Sequence, residues 1–311
     1  MELRQLRYFV AVAEEGHITR AADRLGIQQP PLSRQIKAIE HELDVQLFRR
    51  KARGVELTEA GRALLHDTRT ILDDLDQAFE STRRTARGEQ GHICVGITPS
   101  AMFHPLLPHA VRSFREAFPL VSLKLDEYLS NELMNRLRDE QTDVAFIRTS
   151  VADPEGLTIT PLLDEPMIVV LPDGHPLTRG RPAAAISLKQ LANETFILGE
   201  PGTGTHESTI AACRASGFSP RVAQRTSRLT SSLGLVAVGL GIALVPASTQ
   251  RMHMEGVAYR RLKGSAQSIV RLNVVSRRAD PSSVVRQFLN LVKNAVRLAA
   301  RKSQGLDIHI R

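Results

Sequence analysis

Tryptophan is absent from the 311 residues, and aromatics of all kinds make up only 4% of them. Proteins that hold single-stranded nucleic acid stack its bases on aromatic rings, so a platform of that kind is excluded while duplex reading is not. Cysteine occurs only at Cys94 and Cys213, on apolar segments far apart in the chain. That separation gives neither metal-ligand spacing nor a redox pair, and it predicts two buried, inert thiols. No stretch approaches the roughly twenty apolar residues that a membrane-spanning helix needs, and the N-terminus lacks the charged, apolar and small-residue order of a signal peptide. The expectation is a cytoplasmic protein with no membrane partner.

Signatures of catalysis are missing as well. Gly202 and Gly204 are not followed by the Lys-Ser or Lys-Thr pair of a phosphate loop, and the later glycine of a dinucleotide fingerprint is lacking. His206 and Glu207 have no second histidine to complete a zinc-protease motif. There is no Gly-x-Ser-x-Gly elbow, and the ten histidines form no ligand cluster. Neither a catalytic residue, a metal site nor a cofactor is expected.

What is present begins with an uneven charge. The net charge is +8, yet residues 1–220 hold 25 basic and 30 acidic side chains, whereas 221–311 hold 16 basic and 3 acidic. The basic excess is therefore C-terminal. It suits attraction of an anionic small molecule, or simply a solvated surface, and it is not an argument for DNA binding. A hydrophobic fraction of 42% is enough for two or three compact units.

The N-terminal sixty residues are the most informative. Leu3, Leu6, Phe9, Val10 and Ala13 form a helical stripe that Gly16 interrupts. Thr19 then opens a short helix with the small Ala21 and Ala22, and Gly26 ends it. A third helix is read from Pro31 onward, with Gln28 and Gln29 just ahead of Pro30 and Pro31, and it starts abruptly, since proline is tolerated where a first-turn N–H has no partner. Its stripe of Leu32, Ile36, Ile39 and Leu43 faces a small core, leaving Ser33, Arg34 and Lys37 on the other face. Glutamine and arginine make paired hydrogen bonds to adenine and guanine, so this tip is equipped for the major groove of double-stranded DNA. Arg49, Arg50, Lys51 and Arg53 follow, then Gly54 and a strand over Val55 to Leu57, which together read as a wing.

These residues resemble the N-terminal domain of the LysR-type transcriptional regulators. The resemblance covers LRQLRYFVAVAEEGHITRAADRLGIQQPPLSRQIKAIEHELDVQLFRR and the later LTEAGRALL, and extends more loosely over the remaining chain. Within the family the PPLSRQI phrase is most similar to regulators of aromatic and chloroaromatic compound degradation. The resemblance implies DNA contacts from Thr19, Gln28, Gln29, Pro30, Pro31, Ser33, Arg34, Lys37, Arg50 and Arg53.

From Glu59 to about Arg87 the sequence reads as one helix. Leu65, Thr68, Leu72, Leu75, Phe79 and Thr82 alternate in steps of three and four, the seam of a coiled coil. A rod with one apolar seam needs a partner, so Leu65, Leu72, Leu75 and Phe79 are expected to dimerise the chain, in a homodimer or homotetramer as the resemblance implies.

Beyond a hinge at Gly88 to Gly91 a βαβ rhythm begins. Strands are expected at 92–98, 121–128, 144–148, 167–171, 195–198, 222–226, 242–245 and 269–276. Helices are expected at 101–118, 131–140, 187–191, 205–216, 231–238 and 283–300, around a parallel sheet. The fold class is thus α/β overall: a winged helix-turn-helix (1–58), a linker helix and hinge (59–90), a two-lobed α/β effector domain (91–302) and a loose tail (303–311). The resemblance implies the type 2 periplasmic-binding-protein fold, with lobe I at about 91–162 and 267–302 and lobe II at about 163–266.

In such sheets ligands settle beyond the carboxyl ends of strands, beside helix N-termini. Thr98, Ser100, Ser130 and Arg148 occupy those places in the first lobe, and Gly202, Thr203 and Thr226 in the second. They are the expected effector contacts, with Ser100, Ser130 and Thr203 matching the family's positions most directly. Arg148 is either the charge partner of a carboxylate or other anion, or half of a structural ion pair. The expected function is a transcriptional regulator controlled by a small, anionic effector. The alternative is a cytoplasmic binding protein or enzyme on the same two-lobed fold.

Overall fold

The computed structural model describes residues 1–149, 154–179, 185–264 and 268–306. Two compact units divide it, Met1–Arg84 and Thr85–Arg311.

In the first unit, helices α1 (Leu3–Glu15), α2 (Ile18–Leu25) and α3 (Gln29–Leu43) are stopped by Gly16, Gly26 and Asp44, all in the left-handed conformation. The small α2 begins one residue before Thr19, and its cap is His17, whose ring nitrogen accepts from the Thr19 N–H at 3.2 Å. Gln28 caps α3, placing Pro30 and Pro31 in its first turn. Leu6, Phe9, Val12, Ala21, Ala22, Leu32, Ile36 and Ile39 make the core. Leu3 and Leu43, the outer members of two expected stripes, are exposed, because each lies at a helix end beyond the reach of so small a core.

The wing is a hairpin of β1 (Phe48–Lys51) and β2 (Gly54–Leu57), so Arg49, Arg50 and Lys51 lie on its first strand and Arg53 in its turn. Glu40 ties it to α3 by accepting from the N–H groups of Leu47 and Phe48 at 2.8 and 3.1 Å. On the other side the Val55 N–H donates to the Gly16 carbonyl at 2.9 Å. Gly54 must be glycine there, since its φ is 130° and any Cβ would overlap that same carbonyl. Helix α4 (Glu59–Arg87) follows.

In the second unit a seven-stranded sheet is built from β3 (Gln90–Ile97), β4 (Leu120–Glu127), β5 (Val144–Ile147), β6 (Leu157–Pro172), β9 (Ala243–Pro246), β10 (Val257–Arg261) and β11 (Ile269–Arg277). Helices α5 (Leu106–Ala117), α6 (Ser130–Arg138) and α9 (Ser283–Leu306) pack on its first half. A pair of parallel strands, β7 (Thr195–Gly199) and β8 (Arg221–Thr226), with α7 (Gly204–Ala215) and α8 (Leu229–Ala237), completes the second lobe.

The sheet is mixed where a parallel one was expected. β3 runs parallel to β4 and β5, while β11 runs antiparallel to both β5 and β6. The largest difference is β6, expected over five residues and extending over sixteen. Its first half pairs with β11 in one lobe and its second half with β9 and β10 in the other, so it is a single strand crossing between lobes. Pro161, Asp164, Glu165 and Pro166 hide its first half in the sequence. The proline at 161 is accommodated because the ladder shifts register there, and bulges are where strands tolerate proline. β10 was not expected at all.

Other limits shift by smaller amounts. Residues 101–105 are turns, so α5 starts only at Leu106. The expected helix at 187–191 is a short 3-10 turn. α9 continues to Leu306, through the beginning of the expected tail. Residues 307–311, and the expected lobe boundary at 266–267, lie outside the described residues. No helix among the described residues is long and apolar enough to cross a membrane.

Candidate functional site

The reading head presents a compact polar surface. Gln28, Gln29, Pro30, Pro31, Arg34 and Lys37 are exposed on the leading part of α3, with Ser33 half-buried and Thr19 exposed on α2. The buried side of α3 fixes this presentation, since Leu32, Ile36 and Ile39 lie a turn or so apart on the opposite face. On the wing the basic residues divide into two kinds. Arg49 and Lys51 both pair with Glu56, at 2.9 and 2.5 Å, and hold its carboxyl below the ordinary carboxylate range. Arg50 and Arg53 are exposed and make no ion pair among the described residues, so their full charge is available to a phosphate.

Along α4 the expected seam separates into two parts. Leu65 packs against the core of the reading head and Thr68 is fully buried within the same unit. Leu65 is therefore used inside its own chain. Leu72 and Leu75 are half-buried, while Phe79 is 52% exposed and Ile71, two turns earlier, is similarly open. The part of the seam that stays open is C-terminal.

In the second unit, strand ends and helix starts meet at a cleft of ≈ 60 Å³ between the lobes. Thr98, Ser100, Ser130 and Arg148 line it from the first lobe, and Thr203 and Thr226 from the second. The structure thus brings six of the seven expected residues together. Gly202 is not among the lining residues. Its carbonyl instead accepts from the Thr149 hydroxyl at 3.3 Å.

Most of these hydroxyls already have partners. Ser130 Oγ lies 2.8 Å from Thr149 Oγ1, and Thr226 Oγ1 lies 2.5 Å from Ser232 Oγ. Thr203 caps α7, accepting from the His206 N–H at 3.4 Å and donating to the Glu200 carbonyl at 2.8 Å. The N-termini of α6, α7 and α8 are all at this cleft, through Ser130, Gly204 and Leu229, and their free N–H groups favour negative charge.

Arg148 is not a free charge. Its side chain is 1% exposed and Nη2 donates to Glu165 Oε2 at 2.6 Å and to the Ser100 carbonyl at 3.3 Å. Burial opposes charge on Glu165, but Arg148 and the Ser248 N–H outweigh it and hold the carboxyl below its ordinary range. Of the two readings open for Arg148, the structural ion pair is the one observed. Nearby, burial pushes the His104 imidazole down, favouring its neutral form.

Thr149, Arg228 and Ser232 are cleft or cross-cleft residues that sequence reasoning missed. Thr149 stands one residue after an expected strand end, which was the available signal. The others lie within helices or their caps, where hydroxyls and arginines carry no distinguishing pattern. Cys213 is buried, which pushes its thiol up to about 11. Cys94 differs from expectation in being only half-buried, with Sγ 3.5 Å from Asp126 Oδ2; burial and that carboxylate raise its thiol too. Among the described residues no three His, Cys, Asp or Glu side chains are grouped to hold a metal.

Residues 3–62 match the family of bacterial regulatory helix-turn-helix proteins of the lysR type, and residues 86–297 match the LysR substrate binding domain. The transcriptional regulator BudR of Raoultella terrigena is 37% identical over 94% of this chain and all of its own length. The regulator CatR of Pseudomonas putida is 36% identical over 94% of this chain and 98% of its own. Among solved structures, full-length CbnR complexed with its target DNA superposes with a TM-score of 0.83 at 29% identity, covering 95% of this chain and all of that one. With the reading head, the two-lobed domain and relatives matched over nearly their full lengths in agreement, this chain belongs to the LysR family of transcriptional regulators, with a DNA-binding head and an effector-binding domain.

Proposed function

We propose that this regulator reads double-stranded promoter DNA with the tip of α3 in the major groove and the wing on the backbone, under control of a small anionic effector held between its lobes. The DNA contacts are Thr19, Gln28, Gln29, Pro30, Pro31, Ser33, Arg34 and Lys37 on the helices, with Arg50 and Arg53 on the wing. Support comes from the exposure of all of them but the half-buried Ser33, and from the absence of ion pairs on the two wing arginines among the described residues. The protein works in the cytoplasm, where its promoter is.

The effector reading is carried by one observation: hydroxyls from both lobes and three helix N-termini meet at a single cleft. An anion there gains from the partial positive charge of those termini. Thr98, Ser100, Ser130 and Thr226 are its contacts. Thr203 contributes chiefly by capping α7, and Arg148 by holding the floor of the cleft in place. The chain self-associates through Leu72, Leu75 and Phe79, as a homodimer or a homotetramer built from it. Effector binding shifts the balance between lobe arrangements, and through the assembly the spacing of the reading heads on a bent promoter.

The test is a footprint of the full-length protein on the intergenic DNA upstream of its own gene, with and without small carboxylates. A protected region whose length or spacing changes with one of them is the expected result. Protection indifferent to every acid that binds the protein would separate binding from control and overturn the reading.

A further inference from the structure

The end of the linker helix is held more firmly than a hinge would be. Helix α4 runs on to Arg87, and its last residues, from Thr85, belong to the second unit. Only Gly88 and Glu89 separate it from β3, which pairs with β5 on one side and β4 on the other. So short a connector has no slack. The last carbonyls of a helix have no partner within it and carry partial negative charge, and here the first turns of α9 supply their donors. Ser283 Oγ donates to the Ala86 carbonyl at 2.9 Å, and Gln287 Nε2 to the Arg87 carbonyl at 3.2 Å.

The residues around Ser283 release its hydroxyl for this contact. Ser282, not Ser283, caps α9, its Oγ accepting from the Val285 N–H at 3.3 Å. Arg286 donates to Ser283 Oγ at 2.9 Å and to the Pro281 carbonyl at 2.8 Å, which leaves the serine proton for α4. Gly88 completes the seat. Its N–H closes the helix on the Thr85 carbonyl at 3.0 Å, its φ is 73°, and a Cβ there would overlap the peptide between Ser283 and Val284. On its other side α9 buries Val284, Val285, Phe288 and Val292 in the core of lobe I, so whatever is held by its first turns is held to that lobe.

We propose that Ser283 and Gln287 are positioning residues that make the end of α4 a fixed part of lobe I, so that a displacement of this lobe turns the linker helix and sets the spacing of the reading heads on promoter DNA. The stretch 88–91, expected as a hinge, is then a rigid coupling. This rests on the reading that the heads are spaced on a promoter, and not on where the effector sits.

Trypsin tests the joint, because Arg83, Arg84 and Arg87 put three cleavage sites at it. Cleavage requires local opening, and each hydrogen bond lost favours opening by about two- to twelvefold. In the full-length protein, Ser283→Ala/Gln287→Glu should be cut after Arg87 at least about tenfold faster than wild type, with the urea midpoint little changed. Ser283→Thr keeps the hydroxyl and should be cut at the wild-type rate. Footprinting on the intergenic DNA upstream of the gene reads the coupling: the double variant should still protect one segment and lose the fixed spacing to the next. Ser283→Ala alone should show both effects at smaller size if the double variant does not fold. Wild type cut after Arg87 as fast as the double variant, Ser283→Thr cut like Ser283→Ala, or faster cutting with wild-type spacing on DNA would each overturn the proposal. Both measurements use effector-free protein, so a wild-type footprint indifferent to every small acid counts against control by that acid and not against the joint.

Discussion

Arg148 and Glu165 form an ion pair 2.6 Å long whose side chains are 1% and 6% exposed, and the second Glu165 oxygen accepts from the Ser248 N–H at 2.5 Å. Arg148 follows β5, Glu165 lies within the crossing strand β6 and Ser248 follows β9, so the pair fastens three segments where the lobes join. Glu165→Gln leaves a buried guanidinium without its counter-charge, and should lower stability by about 3 to 5 kcal/mol. Asp164→Asn is the control, because the Asp164–Arg271 pair next to it is exposed and should change little. Chemical denaturation of the two variants checks the contrast.

Acid should weaken the effector domain, and the sign follows from two groups. Glu165 is held below its ordinary range, so its contribution is present above about pH 4.3 and is lost as pH falls through its folded value. His104 is also pushed down by burial, so its contribution is full above about pH 6.5 and declines below. Both act in one direction. Denaturant midpoints measured between pH 7.5 and 4 should fall steadily, and His104→Gln should flatten the upper part of that fall.

Arg34→Ala should reduce discrimination between operator and random duplex by about 1 to 3 kcal/mol, the value of a paired base contact. Arg53→Ala should weaken binding to both and reduce the salt slope by about one, as loss of a phosphate contact does. Operator affinities measured across a salt series distinguish the two roles. Identical curves for wild type and both variants would contradict the reading surface.

Leu72→Asp puts a charge into the half-buried part of the α4 seam, and sedimentation should then find mostly monomers. Leu65→Ala should act differently. Leu65 packs on the core of the reading head, so its truncation should lower the stability of that unit while leaving the association state intact.

Ser100→Ala should abolish the effector-dependent change in transcription with DNA binding and melting temperature close to wild type. Thr203→Val should instead destabilise the protein by about 1 kcal/mol, since it removes the cap of α7, and Thr203→Ser should restore it. Equal loss of response in Thr203→Ser and Thr203→Val, at unchanged stability, would return Thr203 to direct contact with the effector.

The reading head was legible because its signals are local. Helices of eight to fifteen residues, stopped by Gly16 and Gly26 and opened by Pro30 and Pro31, declare themselves within a few positions of the residues that cause them. The strand ends carrying Thr98, Ser130 and Thr226 were found in the same way, since a hydroxyl after an apolar run is a local pattern. Three things were decided only by long-range contact. The direction and length of β6 depend on β11, more than a hundred residues further on, which pairs a segment too rich in proline and acid to look like a strand. Whether Leu65 faces a partner or its own core depends on where α1 lies, because a heptad pattern states which face is apolar and not what covers it. Arg148 looks the same in sequence whether it awaits an anion or already holds Glu165, because pairing is a matter of distance between segments and not of residue type. The close approach of the two lobes belongs with these, since Gly204 lies against a carbonyl 56 positions away in the chain.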